Sequence, residues 1–170
     1  MDDRHVRSAR VLDPAYIVAL PERSVDELRA MHAECLELET EVSYVRRLAQ
    51  ARIDILEAEQ ARRARGGSVE DLINALPQIL ADTGPRANAA TSRLPLKMAP
   101  DEESEWADQL EETEGLLANL PALSDAELVE AVKSLRVLEH DVSAERQALF
   151  GVIDRIDLDL AERLKAEEAQ

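Results

Sequence analysis

The sequence predicts an all-α protein in which two long helices form an intramolecular antiparallel coiled coil, with short helices in the connection between them. Aromatic residues make up only 2% of the 170 residues, whereas packed sheets and rounded cores rely on aromatic and β-branched side chains. Two long stretches carry apolar residues at alternating steps of three and four, which is the heptad pattern of a coiled coil. A chain of this length is one domain or one elongated assembly of helices.

The first long helix is predicted over residues 24–65, after an N-terminal arm at 1–23. The arm has mixed charge and two prolines, and we favour a disordered tail for it. Ser24 followed by Glu27 is a capping box that opens the helix. About 42 helical residues span roughly 63 Å, so this helix needs a partner along its length. Its apolar seam, broken once at Arg52, consists of Leu28, Met31, Cys35, Leu38, Val42, Val45, Ala49 and Leu56.

Residues 66–123 are predicted to connect the two long helices. Capping and periodicity indicate short helices at about 68–81 and 101–119. The stretch between these helices is rich in Pro, Ala, Thr and Ser and has no periodicity, so we expect it to be flexible. A connection of this length allows the second long helix to run back along the first.

The second long helix is predicted over residues 124–169 and opens with another capping box, formed by Ser124 and Glu127. Its seam is weaker in the middle, where Glu145 occupies a seam position. The apolar members of this seam are Leu128, Ala131, Leu135, Leu138, Val142, Leu149, Val152 and Ile156.

The two long helices are related by an offset of one hundred residues. Twelve positions between 20 and 54 are identical to their counterparts between 120 and 154, where composition alone would give about two or three. Capping residues and polar residues match along with the leucines. We therefore interpret the similarity as an internal duplication and not as generic heptad likeness.

A polar stripe runs along one face of each copy. At steps of four, three, four and four, five residues fall within about 80° around a helix. In the first copy they are Glu39, Ser43, Arg46, Gln50 and Asp54. In the second copy they are Glu139, Ser143, Arg146 and Asp154, with Phe150 at the glutamine position. Antiparallel pairing would place both stripes on one side of the coiled coil, so we expect one pseudo-twofold groove.

The residue types of the stripe suit a guanine nucleotide. A carboxylate such as Asp54 or Asp154 can accept hydrogen bonds from the adjacent N1–H and N2–H₂ groups of guanine. Arginines can bind guanine O6 and N7 or clamp a phosphate, and Ser43 and Gln50 can bind phosphate or ribose oxygens. Glu39 can orient Arg46 or accept a base N–H itself. The alternative is a solvated surface with Glu–Arg pairs within each helix, but the duplication favours a site.

Charge and composition exclude several other functions. The formal net charge of −16 argues against direct nucleic-acid binding and fits either a basic protein partner or simple solubility. Cys35 is the single cysteine and falls on the apolar seam, and no histidine pair has metal-ligand spacing. We find no nucleophile–base set or Gly-rich phosphate loop, so we do not expect an enzyme. No apolar run reaches membrane length, and we expect a cytoplasmic protein without a membrane partner.

The motif Glu-x3-Ser-x2-Arg-x3-Gln-x3-Asp, present twice on two antiparallel helices, resembles that of RsiG, the cyclic di-GMP-dependent anti-sigma factors of actinobacteria. The first copy fits at all five positions, and the second departs at Phe150. Gln147, one turn earlier, could supply the missing amide, or Phe150 could pack against a base. Arg47, next to the motif arginine, is a further candidate contact. The resemblance covers the two long helices.

The resemblance implies a ligand and a protein partner but no catalytic cofactor or metal. RsiG-like proteins bind a dimer of cyclic di-GMP between the two motif helices. When loaded, they hold a WhiG-type sigma factor away from RNA polymerase, and a fall in the messenger releases it to transcribe developmental genes such as those for sporulation. Repulsion between two empty stripes could make the site ligand-organised. The alternative function is a structural or adaptor coiled coil with no nucleotide ligand.

Overall fold

The computed structural model describes residues 4–82 and 106–168, and it is all-α, as predicted. No strand occurs within those two ranges. Single turns of 3₁₀ helix at Leu20–Glu22 and Leu120–Ala122 each lead into a long helix. The α-helices in chain order are α1 (Arg4–Leu12), α2 (Pro14–Val18), α3 (Val25–Arg65), α4 (Val69–Asp82), α5 (Ala107–Ala118) and α6 (Asp125–Glu168).

The chain divides into two compact units. Unit 1 comprises Met1–Ser43 and Val142–Gln170, and unit 2 comprises Tyr44–Asp141. Each unit therefore contains part of α3 and part of α6. Within each unit, these two segments pack against each other, as the predicted coiled coil requires.

The two helices are antiparallel in both units. In unit 1, His32 lies 3.1 Å from Asp157, and further along α3, Glu39 lies 2.9 Å from Arg146. In unit 2 the order of contacts is the same, with Arg46 beside Glu139 and Arg63 beside Asp125. Residue numbers rise along one helix as they fall along the other.

The predicted seam is the core of both units. Every predicted seam residue except Met31 is buried, and Met31 is half-buried. Cys35 is fully buried, and burial raises the pKa of its thiol. Ile53, Val132 and Ile153 extend the core beyond the predicted set. Hydrophobic burial along this seam is what holds each pair of helix segments together.

Each polar interruption of the seam contacts a short helix. Arg52, only 6% exposed, donates to the Leu110 carbonyl oxygen at 2.6 Å and to the Thr113 hydroxyl of α5. Burial lowers the pKa of Arg52. In unit 1, Glu145 accepts a hydrogen bond from the buried Ser8 of α1. Both interruptions therefore hold the short helices in place.

The N-terminal arm is not a disordered tail, and that prediction is wrong for the described residues. α1 and α2 occupy residues 4–18, and Val11 is fully buried. Arg7 of α1 donates to Glu37 at 2.8 Å and to Glu41 at 3.4 Å on α3. The arm folds because these ion pairs and the burial of Val11 offset the cost of ordering a short helix.

Both predicted capping boxes are present at the N-termini of the long helices. The amide of Ser24 donates to the Glu27 carboxylate at 2.7 Å, and the amide of Glu27 donates to the Ser24 hydroxyl at 3.2 Å. The box formed by Ser124 and Glu127 has corresponding distances of 2.7 and 3.3 Å. These bonds satisfy amides that a helix N-terminus leaves unpaired.

An arginine clasp closes each unit near the start of a long helix. In unit 1, Arg163 of α6 donates to the carbonyl oxygens of Leu20, at 2.8 Å, and of Arg23. In unit 2, Arg63 of α3 donates to those of Leu120 and Leu123 at 3.1 and 2.6 Å. The two clasps are related by the offset of one hundred residues, so the duplication extends beyond the motif.

Acidic residues orient the two clasp arginines. Asp159 accepts from Arg163 at 2.9 Å in unit 1. In unit 2, Glu59 has a 3% exposed side chain and accepts from both Arg62 and Arg63 at 2.6 Å. The hydrogen bond from Arg62 is the main cause that lowers the pKa of Glu59 from 4.5 to about 2. A buried carboxylate with two guanidinium partners stays ionised.

The segment between the long helices begins with α4 after a glycine turn. Gly66 adopts a positive φ of 66° that few other residues tolerate, and it ends α3. α5 begins at Ala107, within the helix predicted over 101–119. The stretch that we predicted to be flexible lies, from residue 83 onward, outside the described residues.

Candidate functional site

The two motif copies lie on the two long helices, the first on α3 and the second on α6. Their side chains differ in exposure. Nine motif residues are half-buried: Glu39, Ser43, Arg46, Gln50, Asp54, Glu139, Ser143, Arg146 and Phe150. Asp154 and the two additional candidates, Arg47 and Gln147, are exposed. The stripe thus lies along the edge of the seam and not on the fully solvated face.

Unit 1 brings together residues of both copies. Arg146 of the second copy donates through Nε to the Glu39 carboxylate at 2.9 Å and to the Ser43 hydroxyl at 2.7 Å. Ser43 in turn donates to Glu39 at 2.6 Å. The Arg146 guanidinium lies 4.6 Å from the centre of the Phe150 ring, a cation–π contact. Glu39, Ser43, Arg146 and Phe150 therefore form one connected cluster.

Unit 2 contains a related cluster, in which the arginine and glutamine come from the first copy and the glutamate from the second. Arg46 of the first copy lies 3.7 Å from the Glu139 carboxylate of the second. Gln50, at the position equivalent to Phe150, donates to the same Glu139 carboxylate at 3.2 Å. The cross-helix pairing of glutamate with arginine is therefore repeated, with an amide where unit 1 has an aromatic ring.

Each motif glutamate pairs with the arginine of the other copy. Glu39 contacts Arg146, whereas the sequence suggested Arg46, seven residues along its own helix. Seven helical residues rise about 10.5 Å, which exceeds comfortable side-chain reach, whereas the facing helix is closer. Opposite charges thus face each other across each cluster and oppose the repulsion that we considered for an empty site.

The Nε atom of Arg46 is buried and has no hydrogen-bond partner among the residues that the structure describes. Its counterpart in Arg146 makes two such bonds. A buried donor without a partner costs free energy. The two motif arginines therefore differ in how their guanidinium groups are satisfied.

The chemistry of both clusters is that of ion pairing and hydrogen bonding. Within residues 4–82 and 106–168, no group of three or more His, Cys, Asp or Glu side chains could hold a metal ion. No helix in these ranges is long and apolar enough to cross a membrane. What the clusters provide is guanidinium donors beside carboxylate acceptors, which suit a ligand that carries both acceptors and donors.

The two clasp arginines were not among the predicted residues, although they carry a sequence signal. Arg63 and Arg163 are identical at the offset of one hundred, just beyond the range that we compared. Extending the comparison would have identified them, as well as the acidic pair Glu59 and Asp159. These residues stabilise the ends of the units, and their bonds lie outside the motif.

The model of the RsiG-like family matches residues 15–80. This match agrees with the resemblance drawn from the sequence over residues 15–80, which contain the first motif copy. No curated protein matches the chain.

Proposed function

We propose, from the premise that residues 15–80 are RsiG-like, that this chain is an anti-sigma factor controlled by cyclic di-GMP. The nucleotide binds to the duplicated motif. In the loaded state the protein sequesters a WhiG-type sigma factor from RNA polymerase. A fall in the second messenger releases the sigma factor for transcription.

One observation carries this proposal: the matched region contains the whole first motif, from Glu39 to Asp54. The second copy lies beyond the match, and its contacts support the same role. In unit 1, Arg146 of the second copy donates hydrogen bonds to Glu39 and Ser43 of the first copy. Side chains of both copies therefore belong to one cluster there.

The pairing suggests how the ligand enters. Glu39 is the acceptor for Arg146 at 2.9 Å. Cyclic di-GMP presents guanine N–H donors together with phosphate and guanine acceptors, so it can replace both partners. Glu39 then accepts a base N–H, while Arg146 binds a phosphate oxygen or guanine O6 and N7. The bond between Glu39 and Arg146 is thus replaced by two charge-assisted bonds, one from each side chain to the ligand.

The repeated pairing suits a ligand that is itself symmetric. Unit 2 has Arg46 near Glu139 where unit 1 has Arg146 near Glu39. Two cyclic di-GMP molecules, one at each unit, would meet equivalent groups. The aspartates Asp54 and Asp154 complete the two halves as acceptors for guanine edges.

The first test is calorimetric titration of the full chain with cyclic di-GMP, compared with the Asp54→Ala/Asp154→Ala double variant. Loss of both acceptors should weaken binding by about a hundredfold or more, because each carboxylate makes charge-assisted bonds. The matched control is Asp26→Ala/Glu162→Ala, which removes the same charge from exposed positions outside the stripe.

The titration is repeated in the presence of a WhiG-type sigma factor. Tight binding that only the stripe variant loses supports the proposal, as does ligand-dependent capture of the sigma factor. Absence of heat in both settings contradicts it. Equal weakening by the control variant would assign the effect to net charge and not to the motif.

A structural or adaptor coiled coil is the second candidate, and the cross-helix ion pairs favour it. Arg46 and Arg146 each have a carboxylate of the facing helix beside them, so the stripe could serve only to fix helix register. In that case stripe variants leave function intact, whereas a seam variant such as Leu38→Asp abolishes it. Capture of the sigma factor is measured for the stripe variant and for Leu38→Asp. Loss with Leu38→Asp alone supports the adaptor, whereas loss with the stripe variant supports the nucleotide-controlled anti-sigma factor.

A further inference from the structure

Unit 2 contains an open groove between α5 and α6 that the motif does not use. It has a volume of about 490 Å³. Apolar side chains that line it include Leu116, Leu135 and Val137, and Val137 is 61% exposed. Acidic side chains also line it, among them Glu112 and Asp141, whereas none of its lining residues is Lys or Arg. The groove is thus apolar and acidic.

Unit 1 shows a basic helix on the counterparts of three groove residues. The counterparts of Ser134, Val137 and Asp141, three residues that line the groove, are Glu34, Glu37 and Glu41. In unit 1 all three counterparts contact α1. Arg7 lies 3.8, 2.8 and 3.4 Å from Glu34, Glu37 and Glu41, respectively.

The helix on the unit 1 face has a defined chemistry. Arg7 and Arg10 lie one turn apart on α1, and Arg10 also pairs with Glu34. Beside them, Val11 is fully buried. α1 is therefore an amphipathic helix that buries an apolar side chain and places guanidinium groups on carboxylates.

We infer that the groove of unit 2, which α5 lines on one side, binds a basic amphipathic helix of the sigma factor, because its lining is apolar and acidic and contains no Lys or Arg. This inference rests on the proposed function for the identity of the partner. The groove has Val137 where unit 1 has Glu37, so the occupant carries an apolar side chain at that point. Its Lys or Arg side chains pair with Asp141, the counterpart of Glu41, and with Glu112 of α5.

The first experiment measures the affinity of the full chain for a purified WhiG-type sigma factor at saturating cyclic di-GMP. Val137→Arg introduces a cation into the groove and should weaken binding at least tenfold, through repulsion of the basic helix and loss of its apolar contact. The control is Val129→Arg, at a 45% exposed position of α6 outside the groove lining, and it should bind like the wild type.

The outcomes separate this inference from the proposed function. A wild type that binds the sigma factor, with Val137→Arg binding equally well, overturns the groove assignment and leaves the anti-sigma role standing. A wild type that binds no sigma factor overturns the proposed function, and the inferred occupant of the groove is then wrong as well.

The second experiment identifies the occupant directly. A photo-reactive benzoylphenylalanine replaces Val137, and the complex is irradiated and digested for mass spectrometry. A cross-link to a Lys- or Arg-bearing helix of the sigma factor supports the inference. A cross-link to another segment of this chain, or to a second copy of it, overturns it.

Discussion

The two halves of the duplicated motif hold their arginines differently. In unit 1, Phe150 stacks on the Arg146 guanidinium at 4.6 Å, and Glu39 accepts from Arg146 at 2.9 Å. In unit 2, Gln50 donates to Glu139, and the nearest approach of Arg46 to that carboxylate is 3.7 Å. The Phe150 ring makes no hydrogen bond, so the Glu39 carboxylate is available to Arg146. The Gln50 amide donates to the Glu139 carboxylate and so competes with Arg46 for it.

This difference shows how one position can tune a duplicated site. Residues 50 and 150 set how firmly the neighbouring arginine is held. In general, a firmly held arginine is better preorganised, but it loses more existing contacts if it takes a new partner. The departure from the motif at Phe150 therefore has a physical consequence of its own, and the copies are not interchangeable.

The largest expected effect comes from exchanging the seam residues that distinguish the units, Val45 and Glu145. Val45 is fully buried, with no equivalent of the Ser8–Glu145 bond in its surroundings among the described residues. Val45→Glu should lower the free energy of unfolding by about 4 kcal/mol, because it buries an unpaired carboxylate. Urea denaturation followed by circular dichroism measures this change.

The reverse exchange, Glu145→Val, serves as the comparison for Val45→Glu. It gives unit 1 the apolar seam of unit 2 and removes the acceptor of Ser8. We expect a small change in global stability but faster proteolysis within α1. A loss of less than about 1 kcal/mol for Val45→Glu would show that the seam tolerates charge and contradict the prediction.

A smaller effect is expected from Glu59→Gln in the clasp of unit 2. The pKa of Glu59 is lowered from 4.5 to about 2 by its arginine partners. Its ion pairs therefore stabilise the fold fully above pH 4.5, and this stabilisation is lost as the pH falls toward 2. At pH 7 the variant should melt about 5 °C below the wild type.

The pH series provides the decisive measurement for the clasp. The difference in melting temperature between wild type and Glu59→Gln should shrink as the pH falls from 4.5 to 2. Asp159→Asn is the matched variant in unit 1, where the acid bonds to one arginine and not to two, so its effect should be smaller. A difference that is independent of pH would assign the loss to packing.

The smallest effect is expected from exchanging residues 50 and 150, which distinguish the two clusters. This prediction assumes that cyclic di-GMP is the ligand. Gln50→Phe removes an amide contact and should raise the Kd for cyclic di-GMP about tenfold, equivalent to roughly 1.4 kcal/mol. Phe150→Gln restores the full motif and should lower the Kd a few-fold. Isothermal titration of both variants checks this, and unchanged affinities would show that residues 50 and 150 do not contact the ligand.

Local patterns account for what was predicted correctly. The capping boxes, the two seams and the internal duplication depend on residues within a few helical turns, so they can be read from spacing alone. The arm was predicted wrongly for the complementary reason. Its helices depend on contacts with distant residues, such as Ser8 with Glu145, and a short helix has little intrinsic stability.

The sequence by itself determined the all-α class, the antiparallel seam and the stripe residues of both copies, because heptad spacing places each side chain on a face of its own helix. Only the tertiary structure decided which groups meet across helices. Glu39 binds Arg146 and not Arg46, and Arg52 bonds to α5. These partners depend on the register of two helices and on where short helices dock, since non-local packing selects among contacts that local spacing leaves equally possible.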